Sequence, residues 1–145
     1  RVEGKKMRQL VILACTEFEN QCVCILKKRS INSQGNYYTT LDYVKLIEYC
    51  HLKEYVVQFG RYNDLEKIKP FNTWENSQPT KSLSWYDAYN QTKHSRSTNF
   101  KEATFENLLY AISANIVMYC VRFGPMYLYN NMPSLFSTMM TQYIH

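Results

Sequence analysis

Glycine is scarce in this chain, and the four glycines among its 145 residues stand singly, at positions 4, 35, 60 and 124. A phosphate-binding loop needs several glycines close together, because the backbone itself must approach the phosphate. No such loop is present, and no Gly-x-Ser-x-Gly turn presents a serine nucleophile. The sequence therefore excludes P-loop nucleotide hydrolases and α/β-hydrolases.

Metal-binding patterns are also missing. The five cysteines are odd in number and lie mostly at apolar helical positions, so we expect free, buried thiols in a reducing compartment. Cys22-x-Cys24 has no second pair at a zinc-binding spacing. Cys120 lies among apolar residues, which makes it a poor nucleophile. No two carboxylates stand out as a pair, and we expect neither a metal nor another cofactor.

The charge balance is mildly basic, with 17 Lys and Arg against 12 Asp and Glu, a net charge of +5. This balance is compatible with nucleic-acid binding and equally with a solvated basic face. The stretch after Arg122 carries no formal charge but is interrupted by glycine and proline, so we predict no membrane span there. Its residues Phe123 to Ile144 are typical of a docking segment. We expect a cytoplasmic location. Whether a segment or domain precedes Arg1 stays open.

The longest periodic segment predicts a helix that ends at Gly124-Pro125. Asn99, with Glu102 three residues later, is a candidate start signal. Apolar residues recur at three- and four-residue steps, as on one face of a helix, and they are Phe105, Leu108, Leu109, Ile112, Ile116, Tyr119, Cys120 and Phe123.

Three further helices complete the predicted fold, an all-α bundle of four to five helices in a single domain over residues 1–145. They span Gly4–Arg29, Leu41–Leu52 with a cap at Thr39 or Thr40, and Trp85–His94. Between the last two, Glu54–Phe59 favours a strand or extended connector. An irregular, proline-containing loop follows it, and we expect Phe71 and Trp74 to pin this loop to the body.

His94 is the central candidate for chemistry. A histidine can take up or release a proton near neutral pH, so it can serve as general base or acid. Lys93 and Arg96 flank it with positive charge that suits a phosphate, and Asn90 lies one helical turn before it. The set is consistent with metal-independent cleavage of RNA. The same residues are also typical of an ordinary solvated helix C-terminus.

The segment Trp85-Tyr86-Asp87-Ala88-Tyr89-Asn90, continued by Lys93-His94 and Arg96, resembles a HEPN domain (higher eukaryotes and prokaryotes nucleotide-binding). The similarity is strongest from Trp74 to Gly124. The family motif is an arginine and a polar residue, followed after several residues by a histidine. Asn90 and His94 match its last two positions, while Tyr89 stands at the arginine position.

The resemblance implies a helical bundle that commonly dimerises with its motif histidines facing each other. Many family members are metal-independent RNases of bacterial toxin–antitoxin or other defence systems. On this interpretation His94, Asn90 and Arg96 are catalytic, and Lys93, Tyr89 and Trp85 contact the substrate. Two alternatives stay open: a non-catalytic module that dimerises or binds a protein partner such as an antitoxin, and a nucleotide-binding domain without cleavage, with its pocket near Trp85 and His94.

Overall fold

The fold is all-α, as predicted. The computed structural model describes residues 2–59, 67–94 and 101–131. Within these ranges a single β-bridge, between Val57 and Ile68, is the only extended pairing. The helices are α1 (Val2–Lys28), α2 (Thr40–Tyr43), α3 (Leu46–Tyr49), α4 (Ser84–His94), α5 (Phe105–Phe123) and α6 (Pro125–Asn131), with a 3₁₀ turn at Leu52–Glu54 after α3.

Helices α1 and α5 run parallel to each other. The Asn115 side-chain amide donates to the Ala14 carbonyl at 2.8 Å, and the Tyr119 hydroxyl donates to Glu17 at 3.2 Å. The paired residue numbers rise together along both helices, which fixes the relative direction. The other amide atom of Asn115, Oδ1, is buried and has no hydrogen-bond partner within the described part of the chain.

Helix α4 runs antiparallel to α1. Near its middle, Tyr86 and Tyr89 contact Glu19, while near its end the carbonyl of Thr92 accepts a long hydrogen bond of 3.5 Å from Arg8. The first turns of α1, the last turn of α4 and the start of α5 therefore lie at one end of the bundle, which we call the His94 end.

The core is dominated by aromatic rings. Phe18 of α1 lies 5.1–6.0 Å, centroid to centroid, from the rings of Phe71, Trp74, Trp85 and Tyr86. Each tryptophan donates its indole N–H to a proline carbonyl at 2.8 Å, Trp74 to that of Pro79 and Trp85 to that of Pro70. The contacts of Phe71 and Trp74 with Phe18 confirm that the irregular loop before α4 is pinned to the body. The two hydrogen bonds give each buried indole the partner it needs.

The segment predicted as one helix over Leu41–Leu52 is instead broken into short turns. Thr39 caps α2 together with Asp42, whose carboxylate accepts the backbone N–H groups of Thr39 and Gln34, each at 3.0 Å. Asp42 is 0% exposed, and these bonds together with Lys45 at 3.5 Å compensate its buried charge. His51 adopts a left-handed conformation (φ 52°), which separates α3 from the 3₁₀ turn at Leu52–Glu54.

The predicted strand at Glu54–Phe59 is reduced to the bridge between Val57 and Ile68, whose two N–H···O bonds are both 2.8 Å long. One bridge satisfies the backbone groups of only two residues, and no neighbouring strand extends it in the described residues. The segment is therefore a connector, the second of the two alternatives that its composition allows.

Helix α5 begins later than predicted, and the side that faces the core differs from the predicted one. Its N-cap is Thr104, whose hydroxyl accepts the N–H of Asn107 at 3.1 Å, whereas Asn99 lies outside the described residues. The predicted end at Gly124 is confirmed. Of the face expected to be buried, Phe105 and Phe123 are exposed, while the small residues Ala111 and Ala114 are fully buried.

Candidate functional site

The last turn of α4 presents two of the predicted site residues to solvent. Lys93 and His94 are both exposed, and Asn90, one turn earlier, is half-buried. A helix C-terminus carries partial negative charge, and these two side chains lie in the last turn where cations are favourable. Arg96 lies outside the described residues.

Trp85 and Tyr89 occupy a different environment, and the prediction that they contact substrate needs correction. Trp85 is 2% exposed and its indole N–H is bound to Pro70. Tyr89 is 3% exposed and donates its hydroxyl to Glu19 at 3.0 Å. Both side chains belong to the core because their helical face packs against α1, so neither reaches a ligand on the surface.

Glu19 is the polar centre that sequence reasoning missed. Its carboxylate accepts the Tyr86 hydroxyl at 2.5 Å as well as that of Tyr89. Burial and then the Glu19 charge raise the pKa of Tyr43. The partners of Glu19 are 67 and 70 residues away in the sequence, so no local pattern predicts the cluster. The only signal in the sequence is that a carboxylate stands next to Phe18 on the apolar side of a helix.

The tyrosines around Glu19 keep their protons over the normal pH range. Burial raises the pKa of Tyr86, and the hydrogen bond to Glu19 and the charge of that carboxylate add to the rise. Burial also raises the pKa of Tyr89 to about 12, where a hydrogen bond with Thr16 acts in the opposite direction and Glu19 adds to the rise. A protonated phenol can donate to the carboxylate, so the group acts as a structural polar cluster.

Lys93 links the buried part of α4 to its exposed end. Its Nζ atom lies 4.8 Å from the centroid of the Tyr89 ring, within the range of a cation–π contact. The ring is held in turn by Glu19. The ammonium group therefore lies over the Tyr89 ring near the end of α4, although the side chain is exposed.

Cations from three segments gather at the His94 end. Exposed Lys5 and Lys6 and the half-buried Arg8 come from the first turns of α1, Lys93 from α4, and Lys101 from the residues just before α5. The acidic residues described at this end of α5 are Glu102 and Glu106. Among the side chains described at this end, the cations outnumber these two acidic residues, which suits a polyanion.

The described residues hold no metal cluster, and most of their thiols are buried. No three His, Cys, Asp or Glu side chains among them are grouped to hold a metal ion. All five cysteines are free, and four are buried. Burial raises the pKa of the Cys15 and Cys22 thiols, so they are poor nucleophiles.

Helix α1 also resembles a membrane-spanning helix in its length and composition. The stretch Gly4–Lys28 is long and apolar enough to cross a membrane by length and composition alone. The core helix of a globular domain passes the same test, and here α1 contributes Val11, Cys15 and Phe18 to the core. The expectation of no membrane contact stays a prediction.

No protein-family model matches this chain, and no curated protein or solved structure shows significant similarity to it.

Proposed function

We propose that the His94 end of the bundle binds RNA and that His94 cleaves it without a metal ion. The observation that carries this proposal is that cations from α1, α4 and the residues just before α5 lie at the end of the bundle where His94 is exposed. The spacing and residue types of the HEPN-like segment support the same activity. On that resemblance, the protein belongs to a bacterial toxin–antitoxin or other defence system and acts as a homodimer.

The chemistry requires one proton acceptor and stabilisation of the phosphate. His94, in its neutral form, takes the proton of a ribose 2′-hydroxyl, whose oxygen attacks the adjacent phosphorus. The bond to the 5′-oxygen of the next nucleotide breaks, leaving a 2′,3′-cyclic phosphate, and a proton from the imidazolium or from water completes the 5′-hydroxyl. Lys93, next to His94, stabilises the charge that develops on the phosphate oxygens. Asn90, one turn back, orients the imidazole or a phosphate oxygen.

A second function, RNA binding without cleavage, is favoured by one specific observation. Tyr89 stands where the family motif has its arginine, and its hydroxyl is bound to Glu19 inside the core. A cation that the family uses at that position is therefore missing from the described part of this site. In this alternative the same cations bind the backbone phosphates, and His94 contributes only a hydrogen bond.

Cleavage of labelled RNA in EDTA distinguishes the two functions. We expect the wild-type protein to cleave, His94→Asn to leave the RNA intact, and the products to end in 2′,3′-cyclic phosphate. His51→Asn is the matched control, because His51 is equally an exposed histidine and asparagine tolerates its left-handed backbone. Binding without cleavage by the wild type would select the second function, and absence of both would refute the proposal.

Lys93→Ala tests the binding step separately. For single-stranded RNA, affinity falls with salt, and the loss of one phosphate contact reduces the steepness of log affinity against log salt concentration by about 0.7. Lys53→Ala removes an exposed lysine from the 3₁₀ turn after α3 and should leave the slope unchanged. Equal slopes for wild type and Lys93→Ala would exclude Lys93 from the interface.

A further inference from the structure

Arg8 joins the first turns of α1 to the last turn of α4. Its side chain is half-buried, and its Nη2 atom donates to the carbonyl oxygen of Thr92 at 3.5 Å. The last four carbonyls of a helix have no acceptor role within the helix, and they point towards its C-terminal end. A guanidinium that binds one of these carbonyls therefore lies at the end of α4, where His94 is the final residue.

The place of Arg8 follows from the packing of α1 against α4. Arg8, Cys15 and Glu19 follow each other at steps of seven and four residues, so they lie on one side of α1. Cys15 is fully buried, and Glu19 accepts from Tyr86 and Tyr89 near the middle of α4. Because the two helices are antiparallel, this side of α1 meets the middle of α4 at Glu19 and its end at Arg8.

The charged group of Lys93 lies further back along α4. Its Nζ atom contacts the ring of Tyr89, which stands one turn before it. Helical side chains tilt towards the N-terminus of their own helix, and this contact follows that direction. The guanidinium of Arg8 lies instead beyond the Thr92 carbonyl, so it is nearer to the residue that carries the imidazole.

We infer that Arg8 is a further catalytic residue, whose guanidinium binds the phosphate that His94 cleaves; this inference rests on the proposed function. When the 2′-oxygen attacks, the phosphorus becomes five-coordinate and negative charge grows on its two non-bridging oxygens. The N–H donors of a guanidinium form a planar fork that matches two such oxygens, and they stabilise the charge as it develops. Arg8 gives and takes no proton, so the acid–base steps stay with His94.

Partial burial makes Arg8 better suited to this role than the exposed lysines at the same end. The attraction between a cation and a phosphate grows as water is excluded, and a guanidinium is less strongly hydrated than an ammonium group. Lys5 and Lys6 are exposed, so solvent weakens their attraction to any one phosphate. They suit the backbone phosphates along a bound strand, whereas Arg8 suits the phosphate that reacts.

Steady-state cleavage of labelled RNA in EDTA by Arg8→Gln tests the inference. Glutamine removes the charge but keeps an N–H donor for the Thr92 carbonyl. We expect kcat to fall by about 10²–10³-fold, as for the loss of one group that stabilises an oxyanion. KM should change little, because the charge that Arg8 stabilises develops in the transition state. The matched control, Arg29→Gln, removes an exposed arginine just after the other end of α1 and should leave kcat unchanged.

Arg8→Lys keeps the test valid if Arg8→Gln loses its helical circular dichroism. Lysine retains the charge and a donor for Thr92 but has no planar fork, so kcat should fall by about tenfold or more, as for one lost charged hydrogen bond. Wild-type kcat in either Arg8 variant would overturn the inference. So would a raised KM at unchanged kcat, which would place Arg8 in binding alone.

Wild type and His94→Asn, assayed beside the Arg8 variants, separate this inference from the proposed function. Cleavage by the wild type that His94→Asn abolishes, together with wild-type kcat in Arg8→Gln, would overturn only the role of Arg8. RNA left intact by the wild type would overturn the cleavage itself and, with it, the role of Arg8.

Discussion

The two parts of α4 have the same helical geometry and opposite surroundings. Its first two turns, with Trp85, Tyr86 and Tyr89, are buried and every polar atom discussed there has a partner. Its last turn exposes Lys93 and His94 to solvent. The comparison shows that one short motif contains both core and candidate site, so stability and activity should respond separately to substitutions in its two parts.

The largest effect is expected from Trp85→Ala. The substitution removes a fully buried ring and leaves the Pro70 carbonyl without its N–H donor, which together should lower the free energy of unfolding by about 3–5 kcal/mol. Chemical denaturation measures this change. Phe105→Ala, which truncates a ring that is 60% exposed, is the comparison and should cost much less. Similar losses for both would contradict the assignment of Trp85 to the core.

Glu19→Ala should have the second largest effect. It leaves the hydroxyls of Tyr86 and Tyr89 without their acceptor, at a cost of about 1–3 kcal/mol for a buried unsatisfied group. Glu17→Ala is a comparison on the same helix and should cost less, since its partner Tyr119 is half-buried and can reach solvent. Restoration of stability in Glu19→Ala by additional Tyr86→Phe and Tyr89→Phe substitutions would confirm that the unpaired hydroxyls cause the loss.

A smaller effect should appear at high pH. The pKa of Tyr89 is raised in the folded protein to about 12, above the value of about 10 for an unfolded chain. The folded state therefore holds this proton more tightly, and the resulting stability is complete below pH about 10 and is lost as the pH rises towards 12. Denaturation curves measured across this range should show the decline, and Tyr89→Phe should reduce it. A decline identical in that variant would show that other groups cause it.

The parts of the fold that sequence predicted correctly depend on local signals. The apolar period of α1, the Gly124 stop and the Phe71 and Trp74 anchors of the loop follow from neighbouring residues and simple side-chain chemistry. The predicted start signal of α5, Asn99 with Glu102, is wrong because the helix begins at Phe105, after Thr104, whose hydroxyl accepts the N–H of Asn107. Local patterns of this kind rank candidate caps poorly when several polar residues precede a helix.

The environment of each motif residue was not predictable in the same way. Helix α5 is apolar almost all round, so its period could not tell that the side with Ala111 and Ala114 faces the core and the side with Phe105 faces outward. Trp85 and Tyr89 were assigned to substrate from their places in the HEPN-like segment. Their partners in the core, Pro70 and Glu19, are distant in sequence, so no local pattern indicated their burial. The packing of α4 against α1 buries these two residues and leaves His94 exposed, and this difference is visible only in the structure.

The most direct test of this separation measures stability and RNA cleavage on the same preparations of wild type and His94→Asn. We expect unfolding free energies equal within about 0.5 kcal/mol, as for an exposed residue, together with loss of cleavage in EDTA. Cleavage by His94→Asn at the wild-type rate would show that His94 is not the cleaving residue.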